Sequence, residues 1–132
     1  MNPPTEISIA AFIKRYSRDK RHAPREILLS WVAWYWRDGR CGVLREHGKI
    51  VAIALVRALD DIAKHDQPHA HDEGGNILWI DDIISRHPHG IAFLLDLARR
   101  RFGHRQAFAG HVFTRAGELR ILPWKTIERL AA

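Results

Sequence analysis

Two adjacent aspartates, Asp81 and Asp82, interrupt the apolar run Ile77-Leu78-Trp79-Ile80-Asp81-Asp82-Ile83-Ile84-Ser85. A carboxylate kept in such a run needs a cationic partner or a chemical task, because burying it alone is costly. Strand alternation predicts that the two point to opposite faces, Asp81 with Ile77, Trp79 and Ile83, and Asp82 with Leu78, Ile80 and Ile84. Just downstream, Arg86-His87-Pro88-His89-Gly90-Ile91-Ala92 links this run to an amphipathic stretch. A strand, a glycine turn and a helix N-terminus make an anion-binding corner: first-turn N–H groups point at the ligand and glycine lets the backbone come close. Gly90 and Ala92 are the expected points of approach, and Arg86 and His87 supply charge and hydrogen bonds.

The elements that position these residues follow from periodicity. Helices are predicted over 5–18, capped by Thr5 with Ile9, Phe12, Ile13 and Tyr16 on one stripe, and over 24–38, opened by Pro24 and rich in Trp31, Trp34, Tyr35 and Trp36. Cys41–Glu46 and Lys49–Leu59 read as a hairpin around His47-Gly48. A long polar loop, 60–76, precedes the strand 77–85. A helix over 90–102 carries Ile91, Leu94, Leu95, Ala98 and Phe102 on one stripe and ends at Gly103. Strands are predicted over 106–115 and 118–122, and a final helix opens at Pro123 and runs from Trp124 to Leu130. The order α-α-β-β-β-α-β-β-α implies one α/β domain over 1–132, with a mixed sheet, a right-handed β-α-β crossover and flanking helices.

This order, with His87-Pro88-His89-Gly90-Ile91-Ala92 at the turn, resembles the GNAT superfamily of N-acetyltransferases. That superfamily's pyrophosphate loop reads Gln/Arg-x-x-Gly-x-Gly/Ala. Gly90 and Ala92 match it, and His87 stands where Gln or Arg is usual. Trp79-Ile80-Asp81-Asp82-Ile83-Ile84 is also similar to a segment of the bacterial RTX toxin-activating lysine acyltransferases. Pro88 and Gly90 recur there with a longer spacer. The resemblances imply a GNAT-like fold and an acyl-coenzyme A or phosphopantetheine-linked acyl carrier as cofactor. They imply acyl transfer from that thioester to an amine, such as a protein lysine. Asp81 takes the catalytic aspartate's place, and His22 is the nearest candidate for the catalytic histidine. Asp81→Asn is then expected to abolish transfer with little effect on melting, and Asp82→Asn to do the reverse.

Other residues have blander readings. His65, Asp66, His69, His71, Asp72 and Glu73 crowd the polar loop, but a Gly- and Pro-bearing loop is a poor scaffold for a metal, and a solvated loop is expected. His111 reads as a half-buried strand residue. Cys41, the one cysteine, has no base beside it and excludes an intrachain disulfide. With Lys plus Arg at 21 and Asp plus Glu at 15, the chain carries +6. Lys14, Arg15, Arg18, Lys20, Arg21 and Arg25 form one basic cluster, and Arg99, Arg100, Arg101, His104 and Arg105 another. Such clusters attract a phosphorylated cofactor, an acidic protein partner or nucleic acid. Nucleic acid is the weakest of these, because no helix-turn-helix, zinc-finger or RNP signature is present. A catalytically inert interaction module built on the aromatic helix is the rival to an enzyme. Composition excludes a disordered chain, and the absence of a long apolar run or basic leader points to a cytoplasmic protein.

Overall fold

The computed structural model describes residues 5–113 and 116–131. In chain order the elements are α1 (Thr5–Tyr16), α2 (Arg25–Arg37), β1 (Cys41–Glu46), β2 (Lys49–Leu59), a 3-10 turn (Ile62–Asp66), β3 (Ile77–Ser85), α3 (Gly90–Phe102), β4 (Ala107–Gly110), a second 3-10 turn (His111–Phe113), β5 (Arg120–Pro123) and α4 (Trp124–Ala131). The strands form one mixed sheet in the order β1-β2-β3-β4-β5. β3 is central, antiparallel to β2 and parallel to β4. β1 and β5 are antiparallel edges.

Period-two alternation along β2 divides the core. Ala52, Ala54, Val56 and Ala58 pack with Leu94, Leu95, Ala98, Trp124 and Ile127 of α3 and α4. Ile53 and Leu55 pack on the other face with Ile9, Ile13, Leu28, Val32 and Tyr35 of α1 and α2. β2 is apolar from Ile50 to Val56 because both faces are covered. The small alanines on the α3 side let that helix lie close to the sheet. The tightest point is Gly90, where an added Cβ would lie 2.0 Å from Ser85 Oγ and 3.1 Å from Ala52 Cβ.

The C-terminal third departs from the sequence reading. β4 stops at Gly110, so His111 lies in a 3-10 turn rather than a strand. The rest of the predicted strand, at 114–115, lies outside the described residues. Gly110 passes against β3, an added Cβ there falling 2.8 Å from Ile80 O, before the chain turns away. β5 runs to Pro123, which the sheet accepts because β5 is an edge. Among the described residues no helix is long and apolar enough to cross a membrane.

Candidate functional site

The site begins with a break in the β2–β3 ladder. Leu55 pairs with Asp82 and Val56 with Ile80, so Asp81 is an extra residue opposite no partner. Such a bulge interrupts alternation. Ile80 and Ile83 face α3, whereas Ile84 faces α1 and α2. Asp81 and Asp82 therefore both face the α1–α2 side, Asp81 reaching Tyr35 of α2 and Asp82 reaching Lys20 of the α1–α2 turn. The expectation of opposite faces is corrected: period-two reasoning fails at a bulge.

The two carboxylates have different surroundings. Asp81 Oδ2 accepts from Arg57 Nε at 2.8 Å and from the Tyr35 hydroxyl at 2.5 Å. Its Oδ1 accepts from the second Arg57 nitrogen and from Trp79 Nε1, both at 3.0 Å. Four donors fill a carboxylate's roughly four acceptor sites. Arg57, buried on β2, is equally saturated. Its remaining N–H groups donate to the carbonyls of His65, Gln67 and Ala70 at 2.8 to 3.1 Å. Burial first, then the Asp81 charge, pushes the Tyr35 phenol well above its ordinary range, so Tyr35 remains a neutral donor.

Asp82 is less well served. It is 8% exposed, and its Oδ2 has no directed hydrogen bond. Lys20 Nζ forms an ion pair with that oxygen at 3.3 Å. Burial raises the carboxyl above its ordinary range against the lowering pull of Lys20. Beside it the central strands diverge. β3 pairs with β4 only at Ile77–Ala107, Leu78–Phe108 and Trp79–Ala109. Past that point a cleft of about 810 Å³ opens, lined by Asp81, Asp82, Arg18, Lys20, His111 and Val112 among others. It is larger in volume than the apolar hollow between α1 and α2, and it joins the strand divergence to the buried, perturbed Asp82 carboxyl.

The turn after β3 carries the other predicted residues. Gly90 is the first residue of α3, and its bare Cα faces Ser85 and Ala52. Packing on β2 and β3 is thus what requires glycine there. The first bond of the helical ladder runs from Phe93 N to His89 O, and the amides of Ile91 and Ala92 have no acceptor among the described residues. His87 Nδ1 accepts from the His89 amide at 3.1 Å, and Nε2 faces Glu46 at 3.0 Å. Arg86 turns to the opposite face, its guanidinium 4.7 Å from the Tyr16 ring centroid. It does not join Gly90 and Ala92. His22 is exposed in the α1–α2 turn and is not among the cleft-lining residues, so the fold does not bring it to Asp81.

The loop 60–76 is not simply solvated. Three of its carbonyls are held by Arg57. Its histidines pack as plates, His65 on Trp79 at 4.4 Å and His69 on Trp34 at 4.7 Å, while His71 Nδ1 accepts from Ala58 N at 3.0 Å. The lone Arg57 within an otherwise apolar strand was the overlooked signal for this anchor. Burial pushes the Cys41 thiol up to about 12, so it is not a ready nucleophile. The second basic cluster is largely engaged within the fold. Arg99 and Arg100 pair with Asp96, Arg101 with Glu73, and Arg105 with the carbonyls of Phe102 and Gly75.

No protein-family model matches the chain, and no curated protein matches it in sequence. Among solved structures it is similar to the GNAT-like decarboxylase GphF in complex with isobutyryl-CoA, with a TM-score of 0.60 and 22% sequence identity. The match covers 82% of this chain and 62% of that one, so this chain spans less than two thirds of its structural neighbour. With the mixed five-stranded sheet, helices on both faces and the divergence of β3 from β4, the likeness establishes that this chain has a GNAT-like fold.

Proposed function

We propose that the chain binds a phosphorylated thioester carrier, acyl-coenzyme A or a phosphopantetheine arm, and transfers the acyl group to an amine. The observation that carries this reading is the divergence of β3 and β4 at a bulged pair of aspartates, one turn of chain from the start of α3. An extended, amide-bearing arm can take the place of the missing strand along β3, as a peptide does at a sheet edge. The open amides of Ile91 and Ala92 suit its phosphates. Such an arm would bring its thioester toward the bulge. GphF is in complex with isobutyryl-CoA, which favours a thioester carrier here as well.

The chemistry requires an ammonium freed of one proton. The resulting amine's lone pair attacks the thioester carbon, an N–C bond forms, the C–S bond breaks, and the departing thiolate takes up the second proton that the nitrogen sheds. Asp81, on the cleft wall and held from behind by Trp79, Tyr35 and Arg57, takes the positioning role. Arg86, His87 and His22 receive no direct part in this arrangement. The resemblance to toxin-activating acyltransferases, and with it a protein lysine as acceptor, rests on Asp81 and the surrounding strand. A second reading is loss of CO2 from a carboxyacyl thioester. Arg18 and Lys20 on the cleft favour it, as does the likeness to GphF, a GNAT-like decarboxylase.

The test is calorimetry with acetyl-coenzyme A, followed by incubation of the complex with alkylamines and, separately, of the protein with malonyl-coenzyme A. Saturable binding that weakens with salt, with amide and free thiol formed in equal amounts, supports acyl transfer. Release of CO2 without amide favours the second reading. Binding without turnover identifies an inert carrier-binding module, and no binding overturns the carrier itself.

A further inference from the structure

The cleft already contains an alkylammonium group. Lys20 Nζ lies 3.3 Å from Asp82 Oδ2 and 4.9 Å from the centroid of the Trp31 ring. A carboxylate together with an aromatic face is the recognition chemistry of an organic cation. The turn that carries Lys20 does not depend on this side chain. It is closed by Lys20 N donating to Ser17 Oγ at 3.3 Å, by Ala23 N donating to Lys20 O at 3.1 Å, and by Lys14 Nζ on the carbonyls of Arg21 and Ala23. The ion pair is itself imperfect, since Lys20 leaves the buried Asp82 oxygen without a directed hydrogen bond. Such an oxygen gains from a better-placed donor.

We propose that Asp82 and Trp31 form the acceptor-amine subsite, that Lys20 is its internal occupant, and that the substrate is a primary alkylammonium that displaces Lys20. The role of the amine as acyl acceptor rests on the acyl-transfer reading above; the subsite itself does not. Once bound, the ammonium gives one proton to the Asp82 carboxylate, leaving a neutral amine and a neutral carboxyl. Asp81, with every acceptor site filled, is not available for that proton. Burial of Asp82 favours its neutral form and so suits it to take the proton.

Butylammonium chloride is the probe, titrated calorimetrically into the wild-type protein, Lys20→Ala and Lys20→Ala/Asp82→Asn. Vacating the subsite should tighten binding about tenfold or more, and the double variant should lose that gain. Equal affinity in wild type and Lys20→Ala overturns the proposal, as does equal affinity in the single and double variants. Lys20→Gln, which keeps the stem and removes the charge, gives the same comparison if Lys20→Ala does not fold. Acetyl-coenzyme A titrated into the wild-type protein separates the two ideas. Amine binding that follows the prediction without thioester binding overturns acyl transfer and leaves the subsite standing. Thioester binding with no gain in Lys20→Ala does the opposite.

Discussion

Asp81→Asn should destabilise the fold substantially, contrary to the expectation from sequence position. The substitution keeps shape but replaces one accepting oxygen with an NH2 donor. On the Oδ2 side that donor would meet Arg57 Nε and the Tyr35 hydroxyl; on the Oδ1 side it would meet Arg57 and Trp79 Nε1. Either way the guanidinium, 3% exposed, loses half of its pairing and all of its countercharge. Breaking a buried pair from one side costs about 3–5 kcal/mol, and the 16% exposure of the Asp81 side chain places this case near 3. For 132 residues the unfolding entropy is about 0.28 kcal/mol/K near the melting temperature, so Tm should fall by about 10 °C. Scanning calorimetry at neutral pH reads this directly. Asp60→Asn, which removes the exposed Lys64 pair, is the control and should barely move Tm. A fall of less than about 3 °C in Asp81→Asn would refute the reasoning that this cluster anchors the loop and bulge.

Further expectations concern neighbouring groups. Asp82→Asn should leave Tm at neutral pH within about 2 °C of wild type, because it removes a charge that burial already disfavours; a fall of 5 °C or more would show that the Lys20 pair is structural. Gly90→Ala should cost about 2–3 kcal/mol through the clash with Ser85, and Ser85→Gly in the same chain should recover part of it, as read by urea unfolding. Full stability in the single variant would contradict the packing role. Arg101 first, then His71, draws the Glu73 carboxyl down to about 2, so its contribution is complete above the ordinary carboxylate range and is lost as pH falls from about 4.5 to about 2. Glu73→Gln should flatten the Tm–pH curve in that window, and an unchanged curve would remove the pair from the account.

The sequence revealed the fold where side-chain period and punctuation were unambiguous. Leu94, Leu95, Ala98 and Phe102 formed the buried α3 stripe, with Gly103 as its end, whereas Ile91, expected on the same stripe, is exposed in the first turn; the apolar run of β3 lay centrally as expected. The bulge at Asp81 left no such mark, because a one-residue insertion in a ladder alters pairing and not composition. That loss propagated to the aspartates, whose faces were misassigned. The same bulge and the close pass of Gly110 account for the short β4, whose sequence alone continues to look extended. Gly90 was singled out for close approach to a ligand, whereas its tight neighbour in the fold is Ser85, a contact that depends on how closely α3 lies on the sheet. Lys20 resembled one charge of a basic cluster, since only the folded turn sets it against Asp82 and Trp31.

The central claim, that the gap between β3 and β4 receives a thioester carrier, is tested most directly by amide chemical shifts of isotope-labelled protein titrated with acetyl-coenzyme A. The account predicts saturable shifts at Ile91 and Ala92, along Ile80 to Ser85, and at Gly110, with the amides of α1 away from its C-terminal turn unaffected. Shifts confined to the apolar hollow between α1 and α2, at Ala10, Ala11, Leu28 and Leu29, or no shifts at all, would contradict it.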